Sequence, residues 1–389
     1  MSSSVISAAR VVAEGKVLTP GWVETDGEYI VGVGGGDPPR LADYEFPAHT
    51  VIPGFVDMHV HGGGGHSYTD GNADEVRLGL DFHRRHGTTT SVASLVSSES
   101  DSLLEQIDAL RDLVAQGEIA GIHLEGPWLS DHRCGAHDRA TLRDPDPREI
   151  AEILDAASGS VVMATLAPEL PGALDAVEQF ASANVLVGVG HTDAGYVQVR
   201  AAIERGARVA THLFNAMRPL HHREPGPILA LLEDSRVTIE LVGDGVHVHP
   251  DLVSYVTATA GPDRVALVTD AMAAAGMTDG SYRLGVLDVD VTDSVARVRE
   301  TGAIAGSTAT MDVLFARAAG SSHESAGTSD AALLAAVAMT ASTPARVLGR
   351  RDIGELAVGK RADLVIVDEA HRVERVLTRG DWHERLHTI

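Results

Sequence analysis

The chain has 389 residues, of which 44% are hydrophobic and 22% are charged, as is typical of a globular protein with a substantial core. Its 31 basic and 55 acidic residues give a formal net charge of −24, which argues against nucleic acid or an anionic membrane as the main partner. The single cysteine, Cys134, excludes an intrachain disulfide bond and suits a reducing compartment.

The sequence also lacks the usual signals for export or membrane insertion. No apolar run reaches the length of about 18 residues that a membrane-spanning helix needs. The first residues lack the basic segment followed by an apolar stretch that marks a secretory leader. We therefore expect a cytoplasmic protein that does not act at a membrane.

Both ends of the chain are predicted to form β-structure. Residues 1–52 contain short alternating runs interrupted by glycine, and residues 354–377 return to this character. A segment as short as the first one needs a partner sheet to be stable. We therefore predict a small β-sandwich domain from residues 1–52 and 353–389, and a larger domain from residues 53–352.

Between these ends, apolar strands alternate with amphipathic helices at a spacing of roughly 30 residues. Eight strands are predicted, at residues 53–61, 88–96, 119–125, 161–166, 184–189, 207–211, 236–242 and 264–268. Helices are predicted at residues 74–86, 103–114, 147–157, 172–182, 195–205, 250–259, 310–320 and 330–341. An inserted hairpin is expected within 281–306 and a polar loop at 321–329. The pattern predicts an α/β protein with a parallel (β/α)8 TIM barrel.

Histidines and acidic residues gather at the carboxyl ends of these predicted strands, which converge on one mouth of such a barrel. The residues at these ends are His59, His61, Glu125, His191, His212, His247 and Asp270. Glu125 alone could be a salt-bridged or helix-capping residue, and most His-x-His pairs do not bind metal. Because imidazoles and carboxylates that converge are typical ligands of a divalent metal, the shared position predicts a metal site around Glu125.

The spacing of the first two histidines supports this prediction. Side chains alternate along a strand, so His59 and His61 project from the same face and can reach one metal. Glu125 ends an apolar run, and Gly126-Pro127 stop the strand directly after it.

Several motifs surround these residues in a fixed order. Two are widespread, namely Pro53-Gly-Phe-Val-Asp57-x-His59-x-His61 and Gly359-Lys-x-Ala-Asp363-Leu. The more specific ones are His123-Leu-Glu125-Gly-Pro127, Gly190-His191-Thr192, Thr211-His212-Leu-Phe-Asn215-Ala216-Met217, Arg223-Glu-Pro-Gly226, Asp244-Gly-Val-His247 and Val268-Thr-Asp270-Ala-Met272. Together they resemble the amidohydrolase superfamily and, within it, the N-acetylglucosamine-6-phosphate deacetylases. The modified bridging lysine of dihydroorotases and hydantoinases is excluded, because no lysine lies between Lys16 and Lys360.

The resemblance implies a metal centre with two divalent ions per chain. Zinc is expected, and iron or cobalt would suit the same ligand types. The implied ligands are His59, His61, Glu125, His191, His212 and Asp270. Glu125 would bridge the two ions. Some relatives lack histidines at positions 59 and 61 and use one metal, so partial occupancy of the second site is the alternative. His123 is expected to pack beside the ligands without binding metal.

The resemblance further implies hydrolysis of N-acetyl-D-glucosamine 6-phosphate to D-glucosamine 6-phosphate and acetate. Asp270 would be the general base and acid, or a ligand only, and the two roles can coexist. His247 would hydrogen-bond the acetamide carbonyl or the developing oxyanion. The implied substrate contacts are Ala136, His137, Asn215, Ala216, Arg223, His247, Ala305 and Gly306.

Phosphate binding in such an acidic protein requires a locally placed cation. Arg223 is the strongest candidate, since guanidinium can bind phosphate through two hydrogen bonds. The resemblance also implies a phosphate contact from a neighbouring subunit, so a homodimer is expected.

Three alternatives stay open at the level of the sequence. The substrate could be the 4-epimer, N-acetyl-D-galactosamine 6-phosphate, because one side chain can distinguish a single hydroxyl group. A non-catalytic scaffold is a second possibility, although every expected ligand is present. Cys134 is either a tolerated loop cysteine or part of a loop that closes over bound substrate.

Overall fold

The computed structural model describes residues 3–320 and 329–384. Its strands, in chain order, are β1 Ser4–Ala13, β2 Lys16–Leu18, β3 Gly21–Asp26, β4 Tyr29–Gly35, β5 Tyr44–Pro53, β6 Phe55–Val60, β7 Gly62–Gly63, β8 His66–Ser67, β9 Thr88–Val96, β10 Gly121–Glu125, β11 Val161–Leu166, β12 Leu186–Val189, β13 Ala207–Ala210, β14 Thr238–Leu241, β15 Val265–Leu267, β16 Gly280–Leu284, β17 Leu287–Thr292, β18 Val295–Val298, β19 Leu364–Val367, β20 Val373–Thr378 and β21 Asp381–Glu384. Its α-helices are α1 Ala73–Arg85, α2 Ser100–Ala115, α3 Pro147–Ala157, α4 Ala173–Ser182, α5 Tyr196–Arg205, α6 Gly226–Glu233, α7 Pro250–Ala260, α8 Met311–Ala318, α9 Asp330–Val337 and α10 Thr343–Val347. Apart from Ser329, the predicted polar loop at 321–329 lies outside the described residues.

Eight strands form the predicted barrel sheet, in the order β15-β14-β13-β12-β11-β10-β9-β6. Neighbouring strands from β9 to β15 pair in parallel. The sheet returns to its first strand through two backbone hydrogen bonds, in which Asp270 N donates to His59 O at 2.9 Å and His61 N donates to Ala271 O at 2.8 Å. The (β/α)8 architecture predicted from the sequence is thereby confirmed.

Local sequence explains why most elements form where they were predicted. All five residues of β10 are buried, as expected for a strand covered on both faces. Helix α3 begins after Asp146, whose side chain accepts a hydrogen bond from Arg148 N, and it has proline in its first turn. The predicted bounds of β9, β11 and α3 match the structure, and the other barrel elements differ by a few residues at their ends.

Helix α6 and strand β5 are among the elements that were not predicted. Helix α6 has the sequence GPILALLE, and its nearly continuous apolar character gives no helical periodicity to detect. Strand β5 is half exposed over its first part and becomes buried only from Thr50 onward, so it lacks a uniform alternating pattern. The expected hairpin after the barrel is a three-stranded antiparallel sheet formed by β16, β17 and β18.

The two ends of the chain share one sheet, in the order β21-β20-β19-β5-β1-β3-β4, with β2 paired to β1. Strand β5 pairs in parallel with β1 and antiparallel with β19, so it joins the N-terminal and C-terminal segments. The apolar side chains of this sheet form a core of their own, which includes Ile6, Val11, Val23, Ile30, Val51, Leu364, Ile366 and Leu377. Both termini therefore contribute strands to one β-sheet, as the sequence predicts.

By compactness the chain divides into two units. One takes its described residues from 1–57, 81–90 and 310–389, and the other comprises 58–80 and 91–309. The division into domains 1–52 plus 353–389 and 53–352 stays a prediction. Within the described ranges, no helix combines the length and the apolar character needed to cross a membrane.

Candidate metal centre and active site

The predicted ligands leave different barrel strands at their carboxyl ends. His59 lies within β6 and Glu125 is the last residue of β10. The remaining four, which follow their strands by one to three residues, are His61, His191, His212 and Asp270. Side chains from five separate strands therefore reach one region, which is where barrel enzymes build their active sites.

The backbone is strained at three of these ligands. His191, His212 and Asp270 adopt left-handed φ values of 46°, 29° and 48°. Such a conformation costs about 1–3 kcal/mol at a residue other than glycine. Gly190 allows Thr211 to pack closely against the backbone before His191, because a Cβ at position 190 would lie 2.7 Å from Thr211 Cβ. The fold thus maintains an unfavourable backbone geometry where the ligands converge.

One group of ligands is formed by Glu125, His191 and His212. Glu125 Oε1 lies 3.1 Å from His191 Nε2 and 2.9 Å from His212 Nε2, and the two nitrogens are 3.0 Å apart. The ligand atoms of a tetrahedral zinc ion lie about 3.3 Å from one another. The observed spacing is close to that of three ligands around one ion.

A second group is formed by His59, His61 and Asp270. The two Nε2 atoms are 3.1 Å apart, and Asp270 Oδ1 lies 3.3 Å from His61 Nε2 and 3.6 Å from His59 Nε2. Glu125 adjoins this group as well, with Oε2 at 3.1 Å from His61 Nε2. Because Glu125 directs one oxygen to each group, it is placed to bridge two ions.

The hydrogen bonds of the histidine Nδ1 atoms, which point away from the ligand cluster, show why a cation fits between the Nε2 atoms. His191 Nδ1 lies 3.0 Å from Arg133 O and His61 Nδ1 lies 3.2 Å from Ser94 O, and a carbonyl oxygen can only accept. In the neutral rings, Nδ1 therefore carries the hydrogen and Nε2 keeps its lone pair. These lone pairs face carboxylate oxygens, which also only accept. A divalent ion between them would relieve the repulsion between these groups.

The electrostatics of the cluster follow from its burial. Burial lowers the pKa of His61, but hydrogen bonds from its protonated Nε2 to Asp270 and Glu125 outweigh burial and raise that pKa to about 9, so a proton relieves the same repulsion as a divalent ion would. Burial and the neighbouring His137 lower the pKa of His191 to about 4. Although burial would raise the pKa of Asp270, the adjacent His59 and His61 hold it below its usual range. Asp270 is therefore ionised at neutral pH, as a general base must be.

A cavity of about 350 Å³ opens directly onto these ligands, within the usual size range of small-molecule sites. Among the predicted substrate contacts, those that line it are Ala136, His137, Asn215, Ala216, His247 and Gly306. Ala305 is fully buried and does not line it. Arg223 is exposed and is likewise absent from the lining, with its Nη1 2.7 Å from His222 Nε2. The structure therefore brings six of the eight predicted substrate contacts together.

Two further histidines near the ligands have different environments. His123 has both nitrogens bonded to hydroxyl groups, with Nδ1 3.0 Å from Ser94 Oγ and Nε2 2.9 Å from Thr165 Oγ1. His137 Nδ1 accepts a hydrogen bond from Ser97 N at 3.2 Å, so the neutral ring carries its hydrogen on Nε2, at 3.5 Å from Glu125 Oε2. His123 thus has no nitrogen available to a metal, whereas His137 offers a donor to the cavity.

His247 is oriented by Asp244, which lies three residues before it. Asp244 Oδ2 is 2.8 Å from His247 Nδ1, and Asp244 Oδ1 accepts from the backbone N of Val246 and of His247. Burial lowers the pKa of His247, but the Asp244 carboxylate outweighs it and raises that pKa. Burial likewise opposes the effect of His247 on Asp244, whose pKa is nevertheless lowered. The pair therefore favours an imidazolium that can donate from Nε2.

We expect Asp244→Asn to lower the free energy of unfolding by about 2 kcal/mol in mildly acidic solution. Since the pKa of His247 is raised above 6.5, its contribution is complete below pH 6.5 and is lost as the pH rises through the folded value. Since the pKa of Asp244 is lowered from 3.8, its contribution is complete above pH 3.8 and is lost as the pH falls through the folded value. Urea unfolding at about pH 5.5 and pH 9 tests this window. A destabilisation that grows with pH would contradict it, and Asp112→Asn on the exposed face of α2 is the control.

Sequence reasoning missed several polar groups at the site, among them Glu240 and Arg133. Glu240 is fully buried, and its Oε2 lies 3.2 Å from His59 Nδ1. It interrupts the apolar strand β14, and this signal could have identified it. Arg133 lines the cavity and binds Asp193, but nothing in the surrounding loop sequence distinguishes it. Cys134, between two lining residues, is not itself part of the lining, and its predicted contact with substrate stays untested.

Comparison with known proteins agrees with this geometry. The sequence profile of the amidohydrolase family matches residues 50–383. The N-acetylglucosamine-6-phosphate deacetylase of Vibrio furnissii is 34% identical over 335 residues, covering 85% of this chain and 82% of the relative. The N-acetylgalactosamine-6-phosphate deacetylase of Escherichia coli O157:H7 is 35% identical over 353 residues, covering 88% and 90%.

A solved structure is similar along almost the whole chain. It is a variant of the N-acetyl-D-glucosamine-6-phosphate deacetylase of Mycobacterium smegmatis in complex with N-acetyl-D-glucosamine 6-phosphate. The two chains are 51% identical, with a TM-score of 0.95 and coverage of 98% of this chain and 99% of the other.

Proposed function

Since this chain belongs to the amidohydrolase family, we propose that it removes the acetyl group from N-acetyl-D-glucosamine 6-phosphate, giving D-glucosamine 6-phosphate and acetate. The observation that carries this proposal is the convergence of four imidazoles and two carboxylates at one end of the barrel, where all of them except His59 line a cavity. The similar Mycobacterium smegmatis enzyme, which binds this sugar phosphate, supports the choice of substrate.

The metal centre belongs to the same proposal. Enzymes of the family depend on metal, and the two ligand groups fit two divalent ions, with zinc as the expected metal. When bound, the metal lowers the pKa of a water molecule and polarises the amide carbonyl. The residues that would hold it are His59, His61, Glu125, His191, His212 and Asp270.

Proton transfer is assigned to Asp270. Its Oδ1 faces the His59 and His61 rings, its side chain lines the cavity, and its pKa is held below the usual range by these two rings despite burial. An ionised carboxylate there can take a proton from the attacking water and deliver it to the departing amine.

Polarisation of the acetamide carbonyl is assigned to His247. Asp244 occupies its Nδ1, which leaves Nε2 as the ring nitrogen available to the cavity that His247 lines. The charged ring that Asp244 favours can donate a hydrogen bond to the oxygen on which negative charge develops during attack. His137 offers a second donor through Nε2, which lies 3.5 Å from Glu125 Oε2.

The phosphate group of the substrate is assigned to a residue of a second subunit. Arg223 is exposed and does not line the cavity of its own chain, although a protein of net charge −24 needs a local cation to hold a phosphate. We infer that Arg223 of a neighbouring subunit reaches this group and makes two hydrogen bonds with it. The active form is then a homodimer.

The experiment that tests the proposed function measures acetate release from both epimers of the substrate. We expect kcat/KM to be at least about tenfold higher for N-acetyl-D-glucosamine 6-phosphate than for the galactosamine epimer, since buried polar groups of the site are left unpaired by the wrong hydroxyl. The opposite ratio would move the substrate to the epimer that the Escherichia coli relative is named for. Acetate release from neither sugar phosphate would refute the proposal, and N-acetylglucosamine without phosphate is the control.

A further inference from the structure

Glu240 is a charged residue inside the barrel that the proposed reaction does not use. It belongs to β14, pairs in register with Ala266, and is 0% exposed to solvent. A buried carboxylate is costly unless it is paired and hydrogen-bonded. Among the described residues, the one ion pair found for Glu240 is with His59. No arginine or lysine of this part of the chain compensates its charge.

The two oxygens of this carboxylate have unequal surroundings. Oε2 lies 3.2 Å from His59 Nδ1 and also accepts from the backbone N of His212 at 3.2 Å. Oε1 is buried and has no hydrogen-bond partner among the described residues. A half-satisfied carboxylate weakens the folded state, so packing alone does not explain its presence.

We propose that Glu240 is a positioning residue for the metal centre, which holds one ligand of each group in place and is required for the second divalent ion. This inference deepens the proposed function and rests on its two-metal site. His59 belongs to the group with His61 and Asp270, whereas His212 belongs to the group with Glu125 and His191. A single oxygen of Glu240 therefore anchors both halves of the centre.

The contact with His59 sets which nitrogen of the ring can bind metal. A carboxylate oxygen such as Glu240 Oε2 can only accept, so the hydrogen of the neutral His59 ring lies on Nδ1. The lone pair of His59 Nε2 is then directed at Asp270 and Glu125. The other two fixed rings, His61 and His191, use backbone carbonyls for the same purpose. His59 alone of these rings receives a carboxylate, which makes its Nε2 the more basic ligand.

The contact with His212 acts on the backbone. His212 adopts a left-handed φ of 29°, which is unfavourable for a residue with a side chain. The Glu240 side chain binds the His212 N–H, and the Glu240 carbonyl accepts from Leu213 N at 2.9 Å. Two consecutive backbone N–H groups are therefore held by one residue at the turn that aims His212 at Glu125.

The balance of buried charge favours a second ion. Glu125 and Asp270 together neutralise one divalent cation, and Glu240 adds a third negative charge within contact of the ligands. With one metal the interior would retain a net negative charge, which is costly. With two metals the centre becomes net positive, and such a centre stabilises the negative charge that develops on an amide oxygen during hydrolysis.

Zinc titration of Glu240→Gln tests this inference. The substitution keeps the shape of the side chain and removes its charge. We expect the zinc dissociation constant of the His59 group to rise about 10–100-fold, since loss of the charge that orients a ligand has this effect. The other constant should rise less, because the glutamine amide oxygen can still accept from His212 N. Metal analysis after dialysis should then give fewer ions per chain than in wild type. Glu105→Gln, at an exposed position of α2, is the matched control.

Thermal unfolding distinguishes this role from a purely structural one. Without metal, Glu240→Gln should have a Tm close to that of wild type, because His59 keeps Glu125 and Asp270 as partners and the glutamine amide oxygen can still accept from its Nδ1. With zinc, its Tm should rise less than that of wild type, since a ligand that binds more weakly stabilises the folded state less at the same concentration. A structural role predicts the reverse, namely a loss of stability that is already complete without metal.

Several outcomes would overturn the inference. Two unchanged zinc dissociation constants in the folded Glu240→Gln variant would do so, as would a wild-type chain that binds a single zinc ion. If the glutamine variant does not fold, the same titration of Glu240→Asp decides, because the shortened carboxylate cannot reach both nitrogens and unchanged affinity would refute the role. Acetate release by the wild-type protein is measured separately, so the proposed function can stand when this inference fails.

Discussion

Asp270→Asn is expected to lower kcat for acetate release by about 10²–10⁴-fold, the usual contribution of a general acid and base. The amide of asparagine cannot take a proton from the attacking water or return one to the departing amine. In the wild-type protein, burial would raise the pKa of Asp270, but the adjacent His59 and His61 lower it. The Asp270 carboxylate is therefore ionised at neutral pH. The measurement is single-turnover acetate release, with zinc content and far-UV circular dichroism recorded on the same samples.

The zinc content separates the two roles that Asp270 combines. If the variant keeps the wild-type number of ions per chain and loses activity, proton transfer is the missing step. If zinc is lost as well, the ligand role contributes to the effect. Near wild-type turnover with a full complement of zinc would contradict the assignment. Asp251→Asn, in a side chain that is 93% exposed in α7, should leave activity unchanged.

Glu125→Gln is expected to abolish metal binding in both ligand groups and to reduce turnover by at least about 10³-fold, because the metal supplies several kcal/mol of transition-state stabilisation. Its two carboxylate oxygens face His61, His191 and His212 at 2.9–3.1 Å. An amide in their place removes one negative charge and turns an N–H group towards a ring nitrogen or an ion. Zinc analysis and acetate release after reconstitution measure both effects.

The matched control for this variant is Glu152→Gln, at an exposed position of α3. Turnover that survives while zinc content falls would show that the reaction does not need the bridging carboxylate. Retention of both zinc ions would show that Glu125 is not a ligand. Either result would require a different arrangement of the centre.

The positions of the ligands could be predicted because they follow from strand periodicity. His59 and His61 share a face by alternation, and Glu125 ends a strand that Gly126 stops. The barrel and the family are both confirmed, by the strand order and by the match over residues 50–383. Strand periodicity and motifs involve residues that are close together in the chain, so a single sequence is enough to detect them.

Contacts between distant strands could not be predicted in the same way. The bond from Glu240 to His59 joins residues 181 positions apart, and no local pattern encodes it. The hydroxyl groups that occupy both nitrogens of His123 come from two neighbouring strands. Arg223 has the residue type that binds phosphate, yet only the structure shows that it does not line the cavity of its own chain.

Some expectations concern properties beyond a single folded chain. The homodimer, the cytoplasmic location and the contact between Cys134 and substrate all stay predictions. Each depends on a second chain, a cell or a bound ligand, which local sequence patterns do not specify.

The most direct test of the account is a zinc titration of metal-free wild-type protein, with acetate release from N-acetyl-D-glucosamine 6-phosphate measured at each step. We expect no activity without metal, and activity that increases until two zinc ions are bound per chain, as the two ligand groups predict. Full activity in the metal-free protein, or two bound ions without acetate release, would contradict the assignment of this centre as the catalytic site.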